Sequence, residues 1–168
     1  MVDVAWGARV SPAFKTKVIG ICAHLQCDPS HLMSAMAFET GETFSPSIKN
    51  KVSGATGLIQ FMRSTAKGLG TTLEALAAMT AVDQLDFVAR HFESKRGRMK
   101  TLSDVYMAIL FPVAVGKAEA HVLFKAPSKA YEQNKGLDAN KDGEVTKGEA
   151  AAKVQAKLVK GLAAANRG

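Results

Sequence analysis

The sequence predicts a mainly α fold. Three observations predict it: apolar residues recur at helical spacing in several stretches, capping residues stand just ahead of them, and no run alternates apolar and polar residues as a half-buried strand does. The 168 residues are 47% apolar and 22% charged, the proportions of a globular domain rather than a disordered chain. That length suffices for one core with a small appendage.

Taken in order, residues 12–26 place Phe14, Val18, Ile21, Cys22 and Leu25 on one helical stripe. Asp28 then caps a helix whose first residue is Pro29, where a missing N–H costs nothing. That helix runs to about Thr40, with Gly41 as its stop. Residues 41–60, rich in Gly, Ser, Thr and Pro, predict a loop or a small irregular β-like segment. A short helix follows at about 61–68, Thr72 caps LEALAAMT, and Thr80 caps AVDQLDFVARHFESK. Ser103 or Asp104 opens a helix through VYMAILF that ends near Pro112. Residues 113–130 are mixed in pattern, and 149–165 form a last helix on Val154, Leu158, Val159 and Leu162. Cys22 and Cys27 are expected on different sides of a helix, as free thiols.

Several function classes lack support. No run of 18 apolar residues occurs, so no membrane span is expected, and the start lacks the pattern of a secretory signal. There is no GxGxxG, no Walker-type loop, no HExxH and no paired CxxC. Twenty-two Lys and Arg against 15 Asp and Glu give a net charge of +7, which suits either a polyanionic partner or simple solubility. No nucleic-acid motif accompanies it, so no nucleic-acid partner is expected.

Chemistry enters at Met33–Gly41. Glu39 is an acid among apolar neighbours in the last turn of its helix, where burial and the negative end of the helix dipole both raise a carboxyl pKa. The alternative is a glutamate facing solvent at a helix end. Downstream stands Ser53–Gly54–Ala55–Thr56–Gly57–Leu58–Ile59–Gln60–Phe61–Met62, then Thr65–Ala66. Two glycines three apart, an apolar pair and an amide describe a backbone that closely approaches something, with Gln60 able to donate to and accept from a sugar.

Glu39–Thr40, Phe44 with Pro46, the 53–62 segment and Thr65–Ala66 together resemble the soluble lytic transglycosylase (SLT) domain of the lysozyme-like superfamily, related also to goose-type lysozyme, in its small phage form. Thr40 stands where the family has Ser, Ile59 where it has Met, and Arg63–Ser64 where it has a proline. The third family motif is reduced to Tyr106–Leu110, without its Asn and Gly. The resemblance spans about residues 28–115. It implies a helical domain with a groove and cleavage of the β-1,4 bond between N-acetylmuramic acid and N-acetylglucosamine. Glu39 is then the general acid and later the base. Ser53 and Gln60 match positions lining the groove. Thr56 either touches substrate or fixes the turn, and Tyr106 either meets a sugar or packs between helices.

A transglycosylase needs one carboxylate, because the muramoyl 6-hydroxyl attacks; hydrolases of the ordinary kind flank the bond with two. Glu42, Asp83 and Asp86 are the candidates for a second. The transglycosylase is the expected activity, with a hydrolytic muramidase as the alternative.

Residues 138–149, DANKDGEVTKGE, match a 12-residue EF-hand loop position by position. Asp138, Asn140 and Asp142 offer side-chain oxygens, Gly143 the sharp turn, Glu144 its carbonyl, Thr146 a water-mediated position and Glu149 a bidentate carboxylate. A structural calcium ion is the expected cofactor, none being needed for catalysis. The weak entering helix, Ala130 to Leu137, is interrupted by Asn134 and Gly136. The expected organisation is therefore residues 1–130 as the catalytic part and 131–168 as a calcium loop and basic helix packed on it, acting as a monomer. Bacterial peptidoglycan is the expected partner and the anionic outer-membrane surface a second. A protein made in a bacterial host cytoplasm without a signal would reach the periplasmic wall through a holin or on a virion. A non-catalytic calcium-binding phage structural protein is the remaining alternative. Lys153, Lys157 and Lys160 share one face of the last helix, and Lys95, Arg96, Arg98 and Lys100 cluster in a turn.

Overall fold

The computed structural model describes residues 2–168 and is mainly helical. Eight helices occur among the described residues: α1 (Pro12–Leu25), α2 (Pro29–Glu39), α3 (Arg63–Gly68), α4 (Leu73–Ala78), α5 (Ala81–Phe92), α6 (Leu102–Leu110), α7 (Lys129–Asn134) and α8 (Lys147–Leu162). A two-stranded antiparallel sheet joins β1 (Val122–Lys125) to β2 (Glu144–Thr146).

Local chemistry sets most helix ends. The Asp28 carboxylate accepts from the Ser30 N–H at 2.7 Å, and Thr72 and Thr80 each cap the helix that follows. At α6 the predicted cap shifts: Thr101, rather than Ser103 or Asp104, is the cap, and Asp104 completes a capping box by accepting from the Thr101 N–H. The last helix likewise begins at Lys147, two residues ahead of Glu149, because Thr146 and Glu149 form a second capping box. Residues 113–130, mixed in pattern, contain β1, a strand too short to show alternation and recognisable only once β2 pairs with it. Phe124 lies opposite Val145 and Lys125 opposite Glu144.

α2 is the central helix. Its residues Leu32–Ala37 are all buried, as expected of a helix with apolar or small groups on every side. It packs against α1, α6 and α8. One continuous core runs from Val4 to Val154 and includes Val145, Ala150, Ala151 and Val154. Packing thus places no boundary at residue 130; α8 completes the same core as the Glu39 helix. A buried ion pair reinforces this join. Lys147 Nζ donates to Asp104 Oδ1 at 2.5 Å and to the Lys117 carbonyl at 2.7 Å.

The two cysteines depart from expectation. α1 ends at Leu25, Gln26 takes a left-handed conformation (φ 58°), and the Cys27 N–H folds back onto the Cys22 carbonyl. The neighbouring Cys27 thiol and burial together drive the Cys22 pKa up. Both are free.

Candidate functional site

Glu39 ends α2 and opens onto a cleft of about 720 Å³. It is lined by Asn50, Val52, Ser53, Ala55, Ile59, Gln60 and Met62, by Ile109 and Leu110 of α6, and by Gln133 and Asn134 of α7. The size suits a ligand of several rings, and amides rimming apolar side chains suit sugars, which present both hydroxyls and C–H faces. Burial raises the Glu39 pKa to about 7, so a large share of the acid is still protonated at neutral pH, where a free glutamate is ionised.

The backbone is turned sharply where it leaves Glu39. Thr40 Oγ1 donates to the Met36 carbonyl at 2.7 Å and accepts from the Phe44 N–H at 3.0 Å. Glu42, Phe44 and Gln60 all adopt left-handed backbone, a costly conformation for non-glycine residues that tertiary structure must hold. The predicted β-like segment is present as isolated bridges from Thr56 to Lys49 and to Phe61.

Gln84 of α5 holds this segment, and no sequence signal pointed to it. Its side chain is fully buried. Oε1 accepts from the Leu58 N–H at 2.8 Å, while Nε2 donates to the carbonyls of Pro46 (2.9 Å) and Leu76 (2.8 Å). Gly57, with φ 84°, is required beside it: a Cβ there would stand 2.3 Å from Gln84 Oε1.

The residues predicted for the site fall into two groups. Glu39, Ser53 and Gln60 line the cleft together. Ser53 Oγ accepts from the Ala55 N–H at 3.2 Å, which leaves its own hydrogen free to donate. Gln60 Nε2 donates to the Gly57 and Ile48 carbonyls at 3.2 and 3.3 Å, leaving its Oε1 as the group for a ligand. Thr56 is buried, and its hydroxyl donates to the Gly54 carbonyl at 2.9 Å, so it fixes the turn and does not line the cleft. Tyr106 is buried edge-on against Phe38, ring centroids 5.6 Å apart, and packs behind Glu39. Burial and the nearby Glu39 charge both raise its phenol pKa.

None of the three candidates for a second carboxylate lines the cleft. Glu42 is clasped by Lys157 and Lys160 of α8, the latter at 2.6 Å. Asp83 accepts from the Thr80 hydroxyl at 2.7 Å, and Asp86 pairs with Lys17 at 2.8 Å. The same contacts revise the predicted basic face of the last helix, because two of its three lysines neutralise Glu42.

The 138–149 loop is closed by hydrogen bonds among its own residues. Asp138 Oδ2 accepts from the Gly143 N–H at 3.0 Å, and Gly143 is left-handed with φ 88°. Glu144 and Thr146 lie in β2, which pairs antiparallel with β1. Asp142 Oδ1 accepts from the Glu144 N–H, and Asn140 Oδ1 from the Asp142 N–H. Glu149 Oε2 accepts from the Thr146 N–H at 2.9 Å, and the N–H groups of Asn140 and Ala139 also help hold its pKa down. Its carboxylate therefore faces the start of the loop.

A fit to a hard cation rests on Asp138. The residue is 7% exposed, and its Oδ1 is buried without a hydrogen-bond partner. An orphaned carboxylate oxygen at the first loop position is what an oxygen-seeking ion would satisfy. Among the described residues no three His, Cys, Asp or Glu side chains converge closely enough to enclose an ion; to join Asp138 around one, Glu149 and Asp142 would have to turn from their present hydrogen bonds.

No protein family matches the sequence, and no curated protein is similar to it.

No helix among the described residues is long and apolar enough to cross a membrane.

Proposed function

We propose that the protein is a peptidoglycan-cleaving lytic transglycosylase of the SLT type, with Glu39 as general acid and then general base. The observation that carries this reading is a large cleft whose sole carboxylate among the described lining residues is Glu39, kept in large part protonated at neutral pH by burial. A protonated Glu39 delivers its proton to the leaving O4 as the muramoyl C1–O4 bond breaks. The resulting carboxylate takes the proton from the muramoyl 6-hydroxyl as O6 bonds to C1. The product is a 1,6-anhydro ring, no water is consumed, and Glu39 ends protonated as it began. With no second carboxylate to activate water, the intramolecular route is favoured over hydrolysis. Ser53 and the Gln60 carbonyl oxygen hold the sugars by hydroxyl and amide groups, while Ile59, Met62, Ile109 and Leu110 meet their apolar faces.

The 138–149 loop would hold a structural calcium ion through Asp138, Asn140, Asp142, the Glu144 carbonyl and Glu149. Its double charge would neutralise the loop's acids and add folding stability by linkage. Action of a phage-encoded protein on the anionic bacterial wall fits this chemistry and the net charge of +7.

Digestion of purified sacculi followed by mass spectrometry tests the proposal. Anhydro-muropeptides are expected. Reducing-end products would replace the transglycosylase with a muramidase, and the absence of any release would leave a non-catalytic calcium-binding protein.

A further inference from the structure

α7 belongs to two structures at once. Gln133 and Asn134 line the Glu39 cleft. The same helix enters the 138–149 loop through a single 3-10 turn at Lys135–Leu137. Tyr131, two residues before Gln133, donates its hydroxyl to Asp138 Oδ2 at 2.7 Å. The other oxygen of that carboxylate is the buried one without a partner. Asn134 Nδ2 is occupied by the Ala130 carbonyl at 2.9 Å, so its Oδ1 is the atom left for a ligand. Gln133 is exposed, with no hydrogen-bond partner for its amide among the described residues.

We propose that Gln133 and Asn134 are glycan-contacting residues on the far wall of the cleft, and that a hard divalent cation held at Asp138 fixes the position of that wall. This rests on reading the cleft as a glycan site. An ion that engages Asp138 Oδ1 pins the carboxylate whose other oxygen anchors Tyr131, and through Tyr131 it pins the helix bearing both amides. α7 has no fully buried residue and is held by the partly buried Tyr131 ring, the Tyr131–Asp138 hydrogen bond and its packing on β1 and β2. A wall that must be ordered before it can grip raises the cost of binding, so the ion and the glycan favour one another.

The test uses full-length Glu39→Gln protein, which binds without turnover, and a tetrasaccharide of alternating N-acetylglucosamine and N-acetylmuramic acid. Calcium chloride added after chelator treatment is expected to slow amide exchange across 129–134 and to tighten tetrasaccharide binding at least about fivefold. Adding Glu149→Gln, which keeps an acceptor for the capping box, should abolish both responses with the protein still folded. Adding Gln133→Ala and Asn134→Ala instead should leave calcium uptake intact by calorimetry and remove the gain in affinity. Calcium uptake with unchanged glycan affinity overturns the proposal, as does no calcium uptake, or a full calcium response in the Gln133 and Asn134 variant. Wild-type protein releasing muropeptides in any of those cases shows that the cleft reading survives. If wild-type protein releases none and the Glu39→Gln protein binds no tetrasaccharide, both fall together.

Discussion

On the Glu39 side of the cleft, backbone groups from Pro46, Leu58 and Leu76 converge on one buried amide, that of Gln84, and three non-glycine residues are held left-handed. On the α7 side no residue of the helix is fully buried, and it is tied to the chain by the Tyr131–Asp138 hydrogen bond and by packing on the small β1–β2 sheet. The first wall is fixed by contacts between segments far apart in sequence, all inside the core. The second is fixed by neighbours a few residues away, near the surface. Local stability follows burial and non-local hydrogen bonding, so the acid sits on the rigid wall and adjustment is left to the other. An acid whose pKa depends on exclusion of water needs a surrounding that does not open.

The widest separation between the walls should appear in catalysis. Glu39→Gln is expected to reduce muropeptide release by about 10²–10⁴-fold, the usual contribution of a positioned acid–base group. Equal release by the variant would remove Glu39 from its role. Next comes the rigid wall's anchor. Gln84→Ala leaves one N–H and two carbonyls buried without partners, costing about 3 kcal/mol or more. At this chain length that lowers Tm by about 10 °C in a thermal melt; an unchanged Tm would show that the wall is held elsewhere.

A third effect is pH-dependent. Burial raises the Glu39 pKa to about 7, above the ~4.3 of an unfolded glutamate, so ionisation disfavours the folded state. Stability contributed by this group is therefore full below about pH 4, declines as pH rises toward 7, and stays reduced above. Glu39→Gln should change little in melts at pH 4 and stabilise by up to about 3 kcal/mol at pH 8. A destabilised variant at pH 8 would contradict the burial. The smallest effect belongs to the adjustable wall. Tyr131→Phe deletes one part-buried hydrogen bond, costs about 1 kcal/mol of global stability, and should speed amide exchange within 129–138 while leaving 53–60 unchanged.

Much of the rigid wall was legible because its signals are local. Asp28 and Pro29 announce α2, Glu39 stands at its end, and the glycines at 54 and 57 mark the turn. What escaped depends on partners remote in sequence. Gln84 reads as an ordinary polar residue on an amphipathic helix; only the approach of Leu58, 26 residues earlier, gives it a task. Lys147 sits in a loop motif and Asp104 in a helix start, yet they form a buried pair 43 residues apart. β1 carries no alternation because a four-residue strand with one buried side chain has none to show. Thr56 and Tyr106 each carry two readings in the sequence, contact with a sugar or a structural role, and burial of both favours the structural one. The cysteines misled for a local reason: a left-handed Gln26 ends the helix whose continuation would have separated them.

The ends of the described chain are laced together. Val4 exchanges hydrogen bonds with Gly168, the Ala8 N–H reaches the Asn166 carbonyl, and the Trp6 N–H reaches Gly161. Trp6 is the sole tryptophan, buried, with its indole Nε1 donating to the Lys157 carbonyl at 3.0 Å and Lys160 above its ring. This contact joins residues 151 positions apart, so forming it closes a long loop. The fluorescence of Trp6 is consequently a reporter of the docking of the 4–8 segment onto α8.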